Sequence, residues 1–248
     1  MEEELFKNAC DKIVGVERQR QGIGTLSEKT VHAVLKNFYE PDTSHHEIKI
    51  GNYVADIFKN GEIIEIQTRN FNAMRKKLDC FLAQYPVTIV YPIPHTKWLY
   101  WINPETGEIS SKRKSPKTGQ IYDAFFELYK IKFYLTNPNL HFCFPLIDVE
   151  EYRFLNGWSR DRKRGSERYD RIPVSLFDEI YIDGAHEFGR MIPDCLVRDF
   201  TSKDFAGASG LSLSMARTAL NILHYVGAVE RSAKKGNAYL YSRTENKS

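Results

Sequence analysis

Two acids stand where a β-hairpin would bring them together. In VADIFKNGEIIEIQTRN, residues 54–70, Asn60-Gly61 is the pair favoured in a two-residue type I′ turn. With that turn Lys59 faces Glu62, and counting outward Phe58 faces Ile63, Ile57 faces Ile64 and Asp56 faces Glu65. Opposed residues share a face of the sheet, with Cβ atoms roughly 4.5–5.5 Å apart. Gln67 shares that face because the strand period is two. If Gly51-Asn52 is also a two-residue loop, Glu47 falls opposite Asp56. Three carboxylates in a row, Glu47, Asp56 and Glu65, repel one another. Lys49 and Lys59 point to the other face and do not relieve them. A divalent cation does, and carboxylate oxygens suit Mg²⁺ or Mn²⁺, which keep waters for chemistry. The alternative is an exposed face whose acids pair with lysines; Phe58 and Ile63 beside them argue for a covered one.

The elements that must hold this hairpin follow from apolar spacing. A helix is expected over 3–14. In TLSEKTVHAVLKNFYEP, residues 25–41, Val31, Val34, Leu35 and Phe38 recur at helical spacing, with Ser27 as N-cap, Glu28 in the first turn and Pro41 past the end. Three antiparallel strands are expected over 46–50, 53–58 and 62–68. NFNAMRKKLDCFLAQY, residues 70–85, lines Phe71, Met74, Leu78, Phe81, Leu82 and Tyr85 along one side of a helix. PVTIVYPI, residues 86–93, is a continuous apolar strand suited to burial on both faces. Further strands are expected over 97–103 and 140–149, and a helix over 122–135. This α/β arrangement fills residues 1–155, and a basic linker or insertion covers 156–173.

Residues 174–248 read as a second domain. Two helical stretches meet near Gly210, the first capped by Thr201 or Ser202. The second is capped by Ser212 and buries Met215, Ala219, Ile222 and Leu223. AVER and AYLYSR then flank SAKKGN, a basic hairpin. Helix, turn, helix and a basic two-stranded wing form the winged-helix pattern, although a small helical protein-interaction domain shares the outline. On the DNA-binding reading, Ser212, Ser214, Arg217, Thr218 and Asn221 lie at or near the exposed face of the second helix. Arg and Asn there suit guanine and adenine edges. Thr218 and Asn221 are equally suited to packing or capping, and Lys234 and Lys235 of the wing suit phosphates.

The hairpin in its setting resembles the PD-(D/E)XK nuclease superfamily, with its restriction-endonuclease-like fold. Asp56 matches the superfamily's Asp, and Glu65-Ile66-Gln67 matches its Glu-x-Lys. Gln67 replaces the Lys, as in some restriction enzymes of this fold, and Ala55 replaces the preceding Pro. Glu28 matches an acid often present on the first helix. The likeness covers residues 26–93 and extends loosely to the strands beyond. It implies a mixed sheet flanked by helices and metal-dependent hydrolysis of phosphodiester bonds in DNA. Asp56, Glu65 and the carbonyl of Ile66 would hold Mg²⁺ or Mn²⁺, with Glu47 as an extra ligand. Gln67 would position the attacking water, and Glu28 would hold a second metal or a bridging water. The missing positive charge would come from Arg69, or from Arg75 or Lys76 on the next helix.

Composition is compatible with this. The 248 residues are 42% hydrophobic and 27% charged, with a net charge of +3, as for one large or two small soluble domains. No apolar run reaches the roughly 18 residues of a membrane span. The acidic, amphipathic start MEEELFKNACDKIV lacks the basic head and apolar stretch of a signal peptide, so a cytoplasmic protein is expected. Cys10, Cys80, Cys143 and Cys195 are far apart without a CxxC pair, which points to reduced buried thiols. Basic stretches at 110–119, 159–171 and 231–239 favour a polyanionic partner. The leading expectation is a DNA nuclease targeted by a winged helix. A catalytically inactive DNA-binding regulator on a nuclease-like scaffold stays open because of Gln67, and the basic loops permit an RNA-binding or RNA-processing protein. Double-strand cutting usually needs two active sites, which leaves room for a homodimer.

Overall fold

Asn60 and Gly61 both take positive φ, 52° and 82°, the backbone of a type I′ turn. The hairpin they close pairs Lys59 with Glu62, Phe58 with Ile63 and Ile57 with Ile64, the register counted from the turn. It belongs to a computed structural model that describes residues 2–21, 29–156 and 167–244. In chain order the elements are α1 (Glu2–Gln21), α2 (Lys29–Tyr39), β1 (His46–Ile50), β2 (Tyr53–Lys59), β3 (Glu62–Ile66), α3 (Arg75–Phe81), β4 (Val87–Val90) and β5 (Ile93–Ile102). They continue with β6 (Arg113–Lys114), α4 (Phe125–Leu128), β7 (Leu140–Phe154), β8 (Glu167–Ile182), α5 (Ser202–Ser209), α6 (Leu213–Tyr225), β9 (Val229–Lys235) and β10 (Ala238–Arg243).

The fold is mixed α/β, with helices flanking a large mixed sheet. Its strand order is β1-β2-β3-β4-β7-β5-β6, with β8 also on β7, and β9–β10 form a separate hairpin. β2 and β3 are antiparallel, whereas β3–β4, β4–β7 and β5–β7 are parallel. β4 is covered on both faces: Val87, Ile89 and Val90 are buried, as a parallel central strand requires.

Several elements differ from the pattern-based reading. PVTIVYPI is not one strand, because β4 stops at Val90 and β5 starts at Ile93. Pro92 between them has no N–H for a ladder. The helix expected over 122–135 is a 3₁₀ turn (Ile121–Ala124), the short α4 and a second 3₁₀ turn (Tyr129–Tyr134), with Ile131 off helical geometry at φ −118° and ψ 23°. Six aromatic residues crowd this stretch, and aromatic side chains favour a helix only weakly. Residues 167–173, expected within a linker, begin β8. Its charges are absorbed by partners: Asp170 accepts from Thr30 Oγ1 (3.3 Å), and Arg171 reaches the buried Glu151 at 2.7 Å. The expected cap Ser27 lies outside the described residues.

The chain packs into two units interleaved in sequence. One comprises Met1–Ile48, Pro92–Gln120 and Pro145–Glu179; the other comprises Lys49–Tyr91, Ile121–Phe144 and Ile180–Ser248. This partition does not follow the expected divisions 1–155, 156–173 and 174–248. In the second unit, α5, α6 and the β9–β10 hairpin cluster with β2, β3, α3 and β4. Phe205 of α5 gives the reason: its ring lies edge-on to Tyr122 and Phe125, with centroids 6.4 and 6.2 Å away. Among the described residues no helix is long and apolar enough to cross a membrane. All four cysteines are free; Cys10 and Cys143 are buried, Cys80 is half-buried and Cys195 is exposed.

Candidate functional site

The β2–β3 ladder ends at Ile57 and Ile64, and the next residues outward are Asp56 and Glu65. Main-chain pairing gives way there to side chains. The Asp56 N–H donates to Glu65 Oε1 at 3.1 Å, and the Ile66 N–H donates to Asp56 Oδ2 at 2.8 Å. Each carboxylate thus reaches across to the opposite strand and satisfies an amide that the ladder has left. The structure therefore brings together the two acids that the Asn60-Gly61 count places opposite each other.

Glu65 is 2% exposed and Asp56 is half-buried. Burial, and then the charge of Asp56, raise the Glu65 carboxyl to about 7, against the lowering effect of Lys77. Lys77 Nζ lies 2.5 Å from Glu65 Oε2 and 5.5 Å from the centroid of the Phe81 ring. α3 positions it: Met74, Leu78 and Phe81 are buried, and Lys77 sits three residues after Met74 and four before Phe81, on the inward stripe. Lys77 is the functional candidate that pattern reading missed, one residue beyond Lys76. Its place between two buried apolar positions is the signal that could have found it.

The other candidates are placed differently. Gln67 is half-buried and turns back on its own loop, its Nε2 donating to the Arg69 carbonyl. Its N–H donates to Val90 O at 2.9 Å. Arg69 is exposed. Ile66 is buried, with its amide held by Asp56. Glu47 is exposed and ion-paired to Lys36, and its φ of 53° interrupts the regular alternation on which its placement opposite Asp56 depended. Arg75 Nε donates to the Lys130 carbonyl at 2.8 Å, and Lys76 is exposed. Glu28 lies outside the described residues. Among the described residues no three His, Cys, Asp or Glu side chains converge as metal ligands, so Asp56 and Glu65 stand as a pair with Lys77.

A second buried acid shapes the surroundings. Glu127 is 5% exposed, accepts from the Phe71 N–H at 2.8 Å and pairs with Lys130 Nζ at 2.6 Å. It ties α4 to the chain just after the Gln67–Asn70 bend, where Asn70 has φ 60°.

In the C-terminal part both expected caps form. Thr201 and Asp204 make a capping box on α5, and Ser212 Oγ accepts from the Met215 N–H at 3.2 Å. α6 buries Ala216, Ala219, Leu220, Ile222 and Leu223, while Met215 is only half-buried. Ser214 and Arg217 are exposed. Thr218 Oγ1 donates to the Ser214 carbonyl at 3.3 Å, and Asn221 Oδ1 accepts from Lys132 Nζ at 2.8 Å. Lys234 and Lys235 are exposed on β9, opposite Tyr239 and Ala238. Of the three basic stretches, residues 159–166 of the second lie outside the described residues, and Lys112 of the first is 3.2 Å from Glu150.

Comparison with known proteins places the chain without giving it an activity. It is 25% identical over 228 residues to an uncharacterized protein of Treponema pallidum (strain Nichols), covering 89% of this chain and 87% of that one. No solved structure matches it. Residues 29–183 match the family described as "Domain of unknown function (DUF8091)", a span that includes Asp56, Glu65 and Lys77 and stops before α5. That span is more than half of the 248 residues, and the chain belongs to the DUF8091 family.

Proposed function

We propose that the chain is a metal-dependent nuclease that hydrolyses phosphodiester bonds at Asp56, Glu65 and Lys77. The reading takes the β1–β4 sheet with α2 and α3 as a restriction-endonuclease-like core, and α5, α6 and the β9–β10 hairpin as a winged helix. The observation that carries it is the crossing of the two carboxylates where β2 and β3 part, with Lys77 on Glu65.

The donor set fits a hard divalent ion. Two carboxylates sit close together, and burial with the charge of Asp56 pushes the Glu65 carboxyl up to about 7 despite Lys77. Asp56, Glu65 and the Ile66 carbonyl would hold Mg²⁺ or Mn²⁺. When bound, such an ion polarises a phosphate and makes a water acidic. Lys77 takes the part that Gln67 leaves vacant. It is a cation fixed beside the acid pair, placed to neutralise charge developing on a phosphate oxygen. Phe81 and the ion pair to Glu65 hold it in place. Ser214 and Arg217 on α6, and Lys234 and Lys235 on the wing, are exposed and suited to phosphates.

A second reading, a non-catalytic nucleic-acid-binding regulator, draws on the engagement of Gln67 with Arg69 and on the absence of a third acid ligand among the described residues. Incubation with single-stranded DNA, duplex DNA and RNA in Mg²⁺ or Mn²⁺ separates the two. Metal-dependent cutting lost in Asp56→Ala, Glu65→Ala and Lys77→Ala supports the nuclease. Binding without cutting by the wild-type chain on every substrate sinks it in favour of the regulator.

A further inference from the structure

The stretch from α4 through the following 3₁₀ turn shows an unusual set of rings to solvent. Phe125, Leu128 and Ile131 face inward and are buried, but Phe126, Tyr129 and Phe133 are 56%, 51% and 77% exposed. The three exposed rings fall three and four residues apart in the chain. Tyr225 at the end of α6 joins them: it is 38% exposed, and its ring centroid is 6.1 Å from that of Phe133. Single exposed apolar side chains are ordinary on a protein surface, but a run of large rings is not.

Cations are interleaved with the rings. Lys130 Nζ lies 4.3 Å from the Phe126 centroid, and Lys132 Nζ lies 4.6 Å from the Tyr225 centroid. Lys130 is balanced by Glu127. Lys132 donates to the Asn221 amide oxygen and Arg75 to the Lys130 carbonyl, acceptors that carry no charge. Alternating rings and cations match a strand with one phosphate and one π-face per nucleotide. A duplex hides those faces inside its own stack, so only unpaired bases can use such a surface. Asn221 and Tyr225 also tie the second half of α6 to residues 132 and 133, which does not suit that half for a major groove. The patch adjoins the catalytic candidate through Arg75, the first residue of the helix that carries Lys77.

We propose that Phe126, Tyr129, Phe133 and Tyr225 form a stacking platform for unpaired nucleotides, with Lys132 and Arg75 on their phosphates. The substrate is then a single strand or a frayed end. This assignment of substrate rests on the nuclease reading above. The test is fluorescence anisotropy of labelled oligothymidine and of a labelled duplex, in EDTA so that nothing is cut. It compares the wild-type chain, Phe133→Ala, Phe126→Ala and the exposed control Val174→Ala. The single strand should bind more tightly than the duplex, and each ring removed should weaken it roughly 5- to 100-fold, with the control unchanged. Equal affinity for strand and duplex, or affinity indifferent to the rings, overturns the platform. So does a dimer in sedimentation that Phe133→Ala splits without changing strand affinity, which would make the patch a contact between copies. Ring-dependent binding by a wild-type chain that cuts nothing in metal sinks the nuclease reading and keeps the binding platform. Metal-dependent cutting with ring-independent affinity does the reverse.

Discussion

Replacing Glu65 with Gln removes a charge from a place that disfavours it. Glu65 is 2% exposed, and burial together with the charge of Asp56 raises its carboxyl from an ordinary 4.5 to about 7 despite Lys77. At ~1.4 kcal/mol per pH unit, the ionised form is disfavoured in the folded chain by about 3 kcal/mol. Between pH 4.5 and about 7 the folded chain keeps a proton that the unfolded chain has released. Without metal, stability therefore falls as pH rises through that window and stays low above it. Gln keeps the shape and an acceptor for the Asp56 N–H. It gives up the attraction of Lys77, which the value of about 7 already includes. The net gain above pH 7 is therefore about 3 kcal/mol, or ~6–12 °C in melting temperature for a chain of this length. In EDTA, differential scanning fluorimetry should show Glu65→Gln melting above wild type by that margin at pH 8, with the two within ~2 °C at pH 5. Mn²⁺ should raise the wild-type chain at pH 8 and leave the variant where it was. A variant that melts below wild type at pH 8, or a gap that is the same at both pH values, refutes the reasoning.

Two further outcomes concern parts of the fold away from the acid pair. Arg171→Ala removes one of the two guanidiniums paired with the buried Glu151 and should cost about 3 kcal/mol in urea melts. Burial by itself would raise the Glu151 carboxyl, but the guanidiniums of Arg171 and then Arg153 hold it below its ordinary range. That stabilisation is present above the ordinary carboxylate value and is lost as pH falls through the depressed one, so the variant should begin acid unfolding at a higher pH. Thr201→Ala breaks the capping box of α5 and should cost about 1–2 kcal/mol by the same melts. The bonds from the Thr201 N–H and hydroxyl hold the Asp204 carboxyl low, so its pKa should rise in the variant when followed by NMR.

The hairpin was the most legible part of the chain because a two-residue Asn-Gly turn leaves one register, and register decides which side chains meet. Ser212 and Thr201 were legible for a similar reason, since a cap uses a residue type that few other positions want. Glu47 was not, because counting by parity assumes regular strand and its φ of 53° departs from it. β8 was hidden by its charges, which on the page resemble a solvated loop. In the fold, Asp170 and Arg171 take up Thr30 and Glu151, partners 140 and 20 residues away. Lys77 was passed over because a lysine on a helix is usually exposed. Only the burial of Met74 and Phe81 on either side turns it inward.

That Asp56 and Glu65 share one divalent cation is tested most directly by calorimetric titration of Mn²⁺ into the metal-free chain. One site per chain is expected, absent in both Asp56→Ala and Glu65→Ala. Its affinity should rise between pH 6 and pH 8 as Glu65, with a carboxyl near 7, gives up its proton. Binding of equal strength in the wild-type chain and both variants, or no binding by the folded wild-type chain at pH 8, contradicts it.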